Sequence, residues 1–90
     1  MTDRIADALH QLQRHRGLVR VGEPTALGAL TQIEVDVAVE LPSRSRRRGV
    51  SEAGVRSVEP CVLVFGTEWP LSAPEPFLRA DFPLNLPHIN

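Results

Sequence analysis

The chain closes on DFPLNLPHIN, where His88 and Asn90 stand two apart behind Pro83 and Pro87. An imidazole can move a proton or brace a turn, and a carboxamide donates and accepts hydrogen bonds. Beside two prolines, His88 is expected to brace a loop or meet solvent rather than serve as a base. Cys61 is the one cysteine, and a cysteine is a nucleophile only as an accessible, activated thiolate. It lies in the apolar run CVLVF, so the expectation for it is a small buried side chain. Arg44, Arg46, Arg47 and Arg48 form a positive run able to meet phosphates or an acidic partner. No aromatic residue interleaves with them to stack bases, which favours a solvated loop. His10 and His15 are five apart, off the i, i+4 spacing of a one-face metal pair, and no acid follows at ligand spacing, so no metal site is expected. A glycine-rich phosphate loop, a Ser-His-Asp set and a carboxylate pair are all missing from the pattern, and no cofactor is implied.

The elements that must carry these residues follow from periodicity. Ile5, Ala8, Leu9 and Leu12 recur at i, i+3, i+4 and i+7, one stripe of a helix over about residues 3–16. Thr2 or Asp3 can cap its start, Arg14, His15 and Arg16 suit its negative end, and Gly17 supplies the stop. LVRV predicts a short strand over about 18–22, and GEPTALGAL reads as a connection. In TQIEVDVAVEL, Ile33, Val35, Val37, Val39 and Leu41 alternate with polar or small residues, the period of a strand with one wet face, over about 32–41. The arginine-rich stretch 42–58 reads as a long exposed hairpin loop, too polar and irregular to pack. A better-buried strand follows over about 59–66, and a short one over about 76–81. Prolines confine the rest of the closing segment to extended structure. Trp69, Phe77 and Phe82 are the large groups expected to seal the sheet's far edge. The order is that of an α+β fold in one domain over 1–90, an N-terminal helix on a meander of three or four antiparallel strands with a proline-rich extended end.

Ninety residues with 42% apolar content, 23% charged content and a net charge of −1 describe one small globular domain with a modest core, neither disordered nor globally tuned to polyanions. One cysteine excludes an intrachain disulfide and fits a reducing compartment, with the cytoplasm as the expected location. No apolar run nears the roughly 20 residues that a membrane span needs, and the polar start MTDRIADALHQ lacks a signal layout.

FGTEWPLSAP followed by FPLNLPHIN resembles the ubiquitin-conjugating enzyme fold, whose members show Phe three residues before Tyr-Pro, a proline-rich stretch, a short strand and then His-Pro-Asn. Phe65 and Trp69-Pro70 match the first part with Trp for Tyr, Ala73-Pro74 stand where the family has a proline pair, and His88-Ile89-Asn90 match the last with Ile for Pro. The stretch between is a few residues longer than in the common eukaryotic pattern, and the closer resemblance is to the prokaryotic conjugating-enzyme-like proteins. The resemblance implies that Asn90 aims its amide at the oxyanion formed when an amine attacks a thioester, and that His88 braces the turn. A preorganised donor of that kind contributes roughly 3–4 kcal/mol.

It also implies a nucleophilic cysteine several residues after the Asn, so the ninety residues resemble the first part of a conjugating domain and should be inactive alone. The implied partners are a ubiquitin-like protein and an adenylating activating enzyme or fused domain, with no membrane and no nucleic acid. The exposed helix face with Arg4, Gln11 and Arg14 matches where such enzymes meet the activating enzyme. Two other readings stay open. One is a non-catalytic variant or RWD-like member of the same fold that only binds proteins. The other is a small α+β module that binds nucleic acid through the arginine loop.

Overall fold

The computed structural model describes residues 3–83. Helix α1 spans Asp3–Gln13 and turns its apolar stripe inward: Ile5 and Ala8 are buried, and Leu9 and Leu12 pack at the margin of the core. It stops short of the expected Arg16. Arg14 and His15 donate their backbone N–H groups three residues back, to Gln11 and Leu12, and the Gly17 N–H goes to His15 Nδ1 at 3.0 Å. Tight i→i−3 turns of this kind are how many helices end.

Five strands form one antiparallel sheet: β1 (Leu18–Val21), β2 (Thr25–Leu27), β3 (Leu30–Ala38), β4 (Val58–Phe65) and β5 (Glu75–Leu78). The path runs β1-β3-β4-β5, and β2 also pairs with β3. β1 meets the far half of β3 (Val21↔Val35) and β2 the near half (Thr25↔Gln32), so the two are an edge strand broken at Gly22–Pro24. Gly22 still donates to Glu34 O at 2.7 Å before Pro24, which has no N–H to give, interrupts the pairing. The stretch read as a connection therefore holds a fifth strand. Gly28 closes the β2–β3 turn at φ +63°, the positive φ that two-residue hairpin turns demand.

β3 and β4 pair continuously from Thr31↔Phe65 to Ala38↔Val58. Strand pleating puts Ile33, Val35, Cys61 and Phe65 on one face, where they meet Ile5 and Ala8 of the helix to form the buried core. β3 ends at Ala38 rather than Leu41: Val39 donates to Ser57 O at 2.8 Å and the chain then diverges, although Leu41 remains buried. β5 ends at Leu78, shorter than expected, because Arg79–Phe82 closes a turn through Phe82 N to Arg79 O at 3.0 Å. The expected seal is only partly made. Trp69 packs on the core, but Phe77 pairs with Val62, which points it to the opposite face, and it is 49% exposed.

The stretch 42–58 is better organised than a loose loop. A 3-10 turn covers Ser43–Ser45 with Ser45 buried, and Val50 and Arg56 form a bridge. Its far end is tied down by Glu59, whose side chain is only 3% exposed. Arg79 Nε and Nη2 donate to the two Glu59 carboxylate oxygens at 2.7 and 2.8 Å, and the Arg56 backbone N–H donates at 2.6 Å. Arg79 Nη2 also reaches Gly54 O at 2.7 Å and Nη1 reaches Asp81 Oδ1 at 3.0 Å, while the guanidinium lies 5.6 Å from the Phe82 ring centre. One side chain thus joins the arginine-rich stretch, β4 and the segment after β5. Among the described residues no buried side-chain nitrogen or oxygen lacks a partner.

The Arg79 hydrogen bonds hold the Glu59 carboxyl below its ordinary value of 4.5 against the opposing effect of burial. A depressed carboxylate adds stability that is complete above its unfolded pKa and is lost as pH falls through the folded value. Urea midpoints measured at pH 7 and then below pH 4.5 should therefore fall, and Glu59→Gln should flatten that fall. At pH 7 the same variant should cost about 3 kcal/mol, the lower end for leaving one partner of a buried pair alone. Ile33→Ala, at the fully buried centre of β3, should cost about 3 kcal/mol at both pH values through the cavity it leaves.

Candidate functional site

The connection from β4 to β5 begins at Phe65 and turns at once, with Trp69 N donating to Gly66 O at 3.3 Å and Leu71 N to Glu68 O at 2.7 Å. The Trp69–Pro70 peptide is cis. The Trp69 ring stands edge-on to Phe65, centroids 5.0 Å apart and planes at 87°, one of the favoured aromatic geometries. Its Nε1 donates to Arg4 O at 3.1 Å, and Arg4 Nη1 donates to Trp69 O at 2.8 Å. The four-residue spacing of Phe65 and Trp69 thus fastens the first turn of α1 to the β4–β5 connection. Ala8, Leu12, Trp69 and Pro74 border a shallow groove between helix and turn.

From this anchor β5 crosses the sheet beside β4, Glu75 opposite Val64 and Leu78 opposite Cys61, and delivers Arg79 to Glu59. Pro83 lies against the arginine-rich stretch between β3 and β4, its Cγ 3.7 Å from where a Cβ on Gly54 would stand. His88 and Asn90 lie outside the described residues. The structure describes the sheet and the two clamps that precede them.

Cys61 is buried at the centre of β4 opposite Val35. Burial pushes its thiol pKa up, and the Phe77 backbone N–H offsets only part of that. Burial and a raised pKa are the reverse of the accessible, activated thiolate that an acyl carrier needs. His10 and His15 are exposed, and among the described residues no three His, Cys, Asp or Glu side chains gather as a metal set. No helix among the described residues is long and apolar enough to cross a membrane. Gln11 lies on the exposed helix face and Arg14 is exposed in the turn that follows the helix, whereas Arg4 is committed to Trp69.

Two interactions escaped the sequence. The Arg4–Trp69 pair joins residues 65 apart, and no local pattern announces it. Glu59 did leave a signal. It shares the parity of Cys61, Leu63 and Phe65 on the inward face of β4, where a lone carboxylate demands a cation.

The family model described as prokaryotic E2 family A matches residues 5–90. That span takes in the helix stripe, all five strands, the Phe65…Trp69-Pro70 turn and the His88-x-Asn90 ending. Comparison with curated proteins and with solved structures gave no match. A helix laid on an antiparallel sheet, the aromatic-proline turn that fastens it and a family match over nearly the whole length lead to one conclusion: the chain belongs to prokaryotic E2 family A, a family of conjugating-enzyme-like proteins.

Proposed function

We propose that these ninety residues form the N-terminal part of a prokaryotic conjugating domain that receives a ubiquitin-like modifier from an adenylating activating protein, holds it as a cysteine thioester and passes it to an amine. The observation that carries this reading is the family match over residues 5–90. In the transfer step the amine nitrogen attacks the thioester carbonyl, the carbonyl oxygen becomes an oxyanion, and collapse of the tetrahedral intermediate expels the thiolate and forms the amide; the amine's surplus proton goes to solvent or a nearby base. Asn90 is the donor to that oxyanion and His88 the brace of its turn. The burial of Cys61 in β4 argues against it as the carrier, and the resemblance implies a thioester cysteine several residues after the Asn. The burial serves the fold instead, since the Cys61 side chain fills the core beneath α1.

The test uses the natural full-length protein with its activating protein, modifier and ATP, read on non-reducing gels. A thiol-sensitive adduct should form and should survive Cys61→Ser. Asn90→Ala should load normally and discharge to free lysine about 100- to 1,000-fold more slowly, the loss expected for one preorganised oxyanion donor. Loss of the adduct on Cys61→Ser with its fold intact would refute the carrier assignment. Absence of any adduct would leave the non-catalytic, protein-binding reading.

A further inference from the structure

Ala38 and Val58 are the last pair of the β3–β4 ladder, and a hairpin at that point needs only two to five connecting residues. Residues 39–57 intervene instead. A connection of this length is commonly functional or disordered, and this one has a defined fold. Ser45 N bonds Pro42 O, Gly49 N bonds Ser45 O, Ser57 N bonds Gly49 O, and Ser51 and Val55 bond each other through backbone and hydroxyl. Leu41 and Ser45 are buried beneath it, and Arg79 holds it at Gly54.

This braced excursion presents Arg44, Arg46, Arg47, Arg48 and Arg56 to solvent. It carries five arginines against Glu40 and Glu52, while the rest of the chain carries five arginines against nine acids, so a positive pole stands on a negative body. Arg44 and Arg46 have loose pairs, Arg44 to Glu52 at 3.4 Å and Arg46 to Glu40 at 3.9 Å, and Arg46 Nε also donates to Leu41 O at 3.4 Å. Arg47 and Arg48 have no ion-pair or hydrogen-bond partner among the described residues. Exposed pairs contribute little to stability, so folding alone does not account for the cluster.

We propose that the excursion is a docking surface for a protein partner with an acidic patch, whose carboxylates meet Arg47 and Arg48. The planar guanidinium matches a carboxylate with two parallel hydrogen bonds, and a backbone already held in shape lowers the ordering cost of binding. Protein is favoured over nucleic acid on two grounds. Residues 39–57 contain no aromatic side chain on which a base could stack. The acids of the body would repel a long polyanion, whereas a compact acidic patch engages the pole alone within the screening length of about 8 Å. This inference does not depend on the conjugation reading.

The test titrates the isotope-labelled full chain with a decaglutamate peptide at about 50 mM salt and follows backbone amide shifts. Shifts should cluster at residues 43–50 and at Arg56 and fade at high salt. Arg47→Ser with Arg48→Ser should weaken binding roughly tenfold. Arg47→Lys with Arg48→Lys, which returns the charge without the guanidinium fork, should restore only part of it, and Arg16→Ser should leave it unchanged. Unaltered β3 and β4 shifts in each variant confirm that the fold is kept. Absent or scattered shifts, or undiminished binding by the serine variant, would overturn the proposal. Displacement of the peptide by a DNA duplex at equal charge concentration would overturn it in favour of nucleic acid.

Discussion

A carboxylate placed on the inward face of a strand constrains everything around it. Glu59 shares a face with Cys61 and Phe65, and removing an ionised carboxylate from water costs several kcal/mol unless a cation and hydrogen bonds replace the water. The chain meets that demand with Arg79, twenty residues on, and with the Arg56 backbone N–H. Meeting it dictates geometry. β5 must run antiparallel to β4 and stop at Leu78 for the next residue to reach Glu59, and the excursion between β3 and β4 must fold back until Gly54 O meets the same guanidinium.

The two ends of β4 are consequently held by different physics. At its start an ion pair fastens the arginine excursion and the segment leaving the sheet. At its end Phe65 and Trp69 fasten the first turn of α1 through an aromatic contact and two reciprocal hydrogen bonds, each from a side chain to a backbone carbonyl, between Trp69 and Arg4. Between them helix α1 covers Ile33, Val35 and Cys61. A domain this small has little core to spare, and the two clamps extend its order to segments that the core does not reach.

Legibility in the sequence tracked how local each signal was. The helix stripe and the alternation of β3 are periodic within a few turns or residues, so both elements were readable, and the structure differs only where turns and pairing end them. β2 was hidden because three residues between a proline and a glycine are too few to show a period. Phe77 was misplaced because its face follows from register with Val62, which composition does not encode. The Phe65…Trp69-Pro70 spacing was readable as a motif, but its partner Arg4 was not, and neither was Arg79 as the partner of Glu59. His88 and Asn90 were read from resemblance alone and lie outside the described residues.

The arginines of this chain divide by burial, and the division says what each group is for. Arg79 is only 12% exposed and every contact it makes is internal. Buried ion pairs of this kind are often no more stabilising than apolar residues of equal volume, so its contribution lies in selecting one arrangement of three segments among those the core would tolerate. Arg47 and Arg48 face water and have no ion-pair or hydrogen-bond partner among the described residues, so no contact of theirs selects an arrangement there. Local repulsion within a run of like charges is an energetic cost that the folded chain alone does not recover. A support of hydrogen bonds, built beneath Arg47 and Arg48, which have no partner among the described residues, is intelligible when the compensating charges come from another molecule.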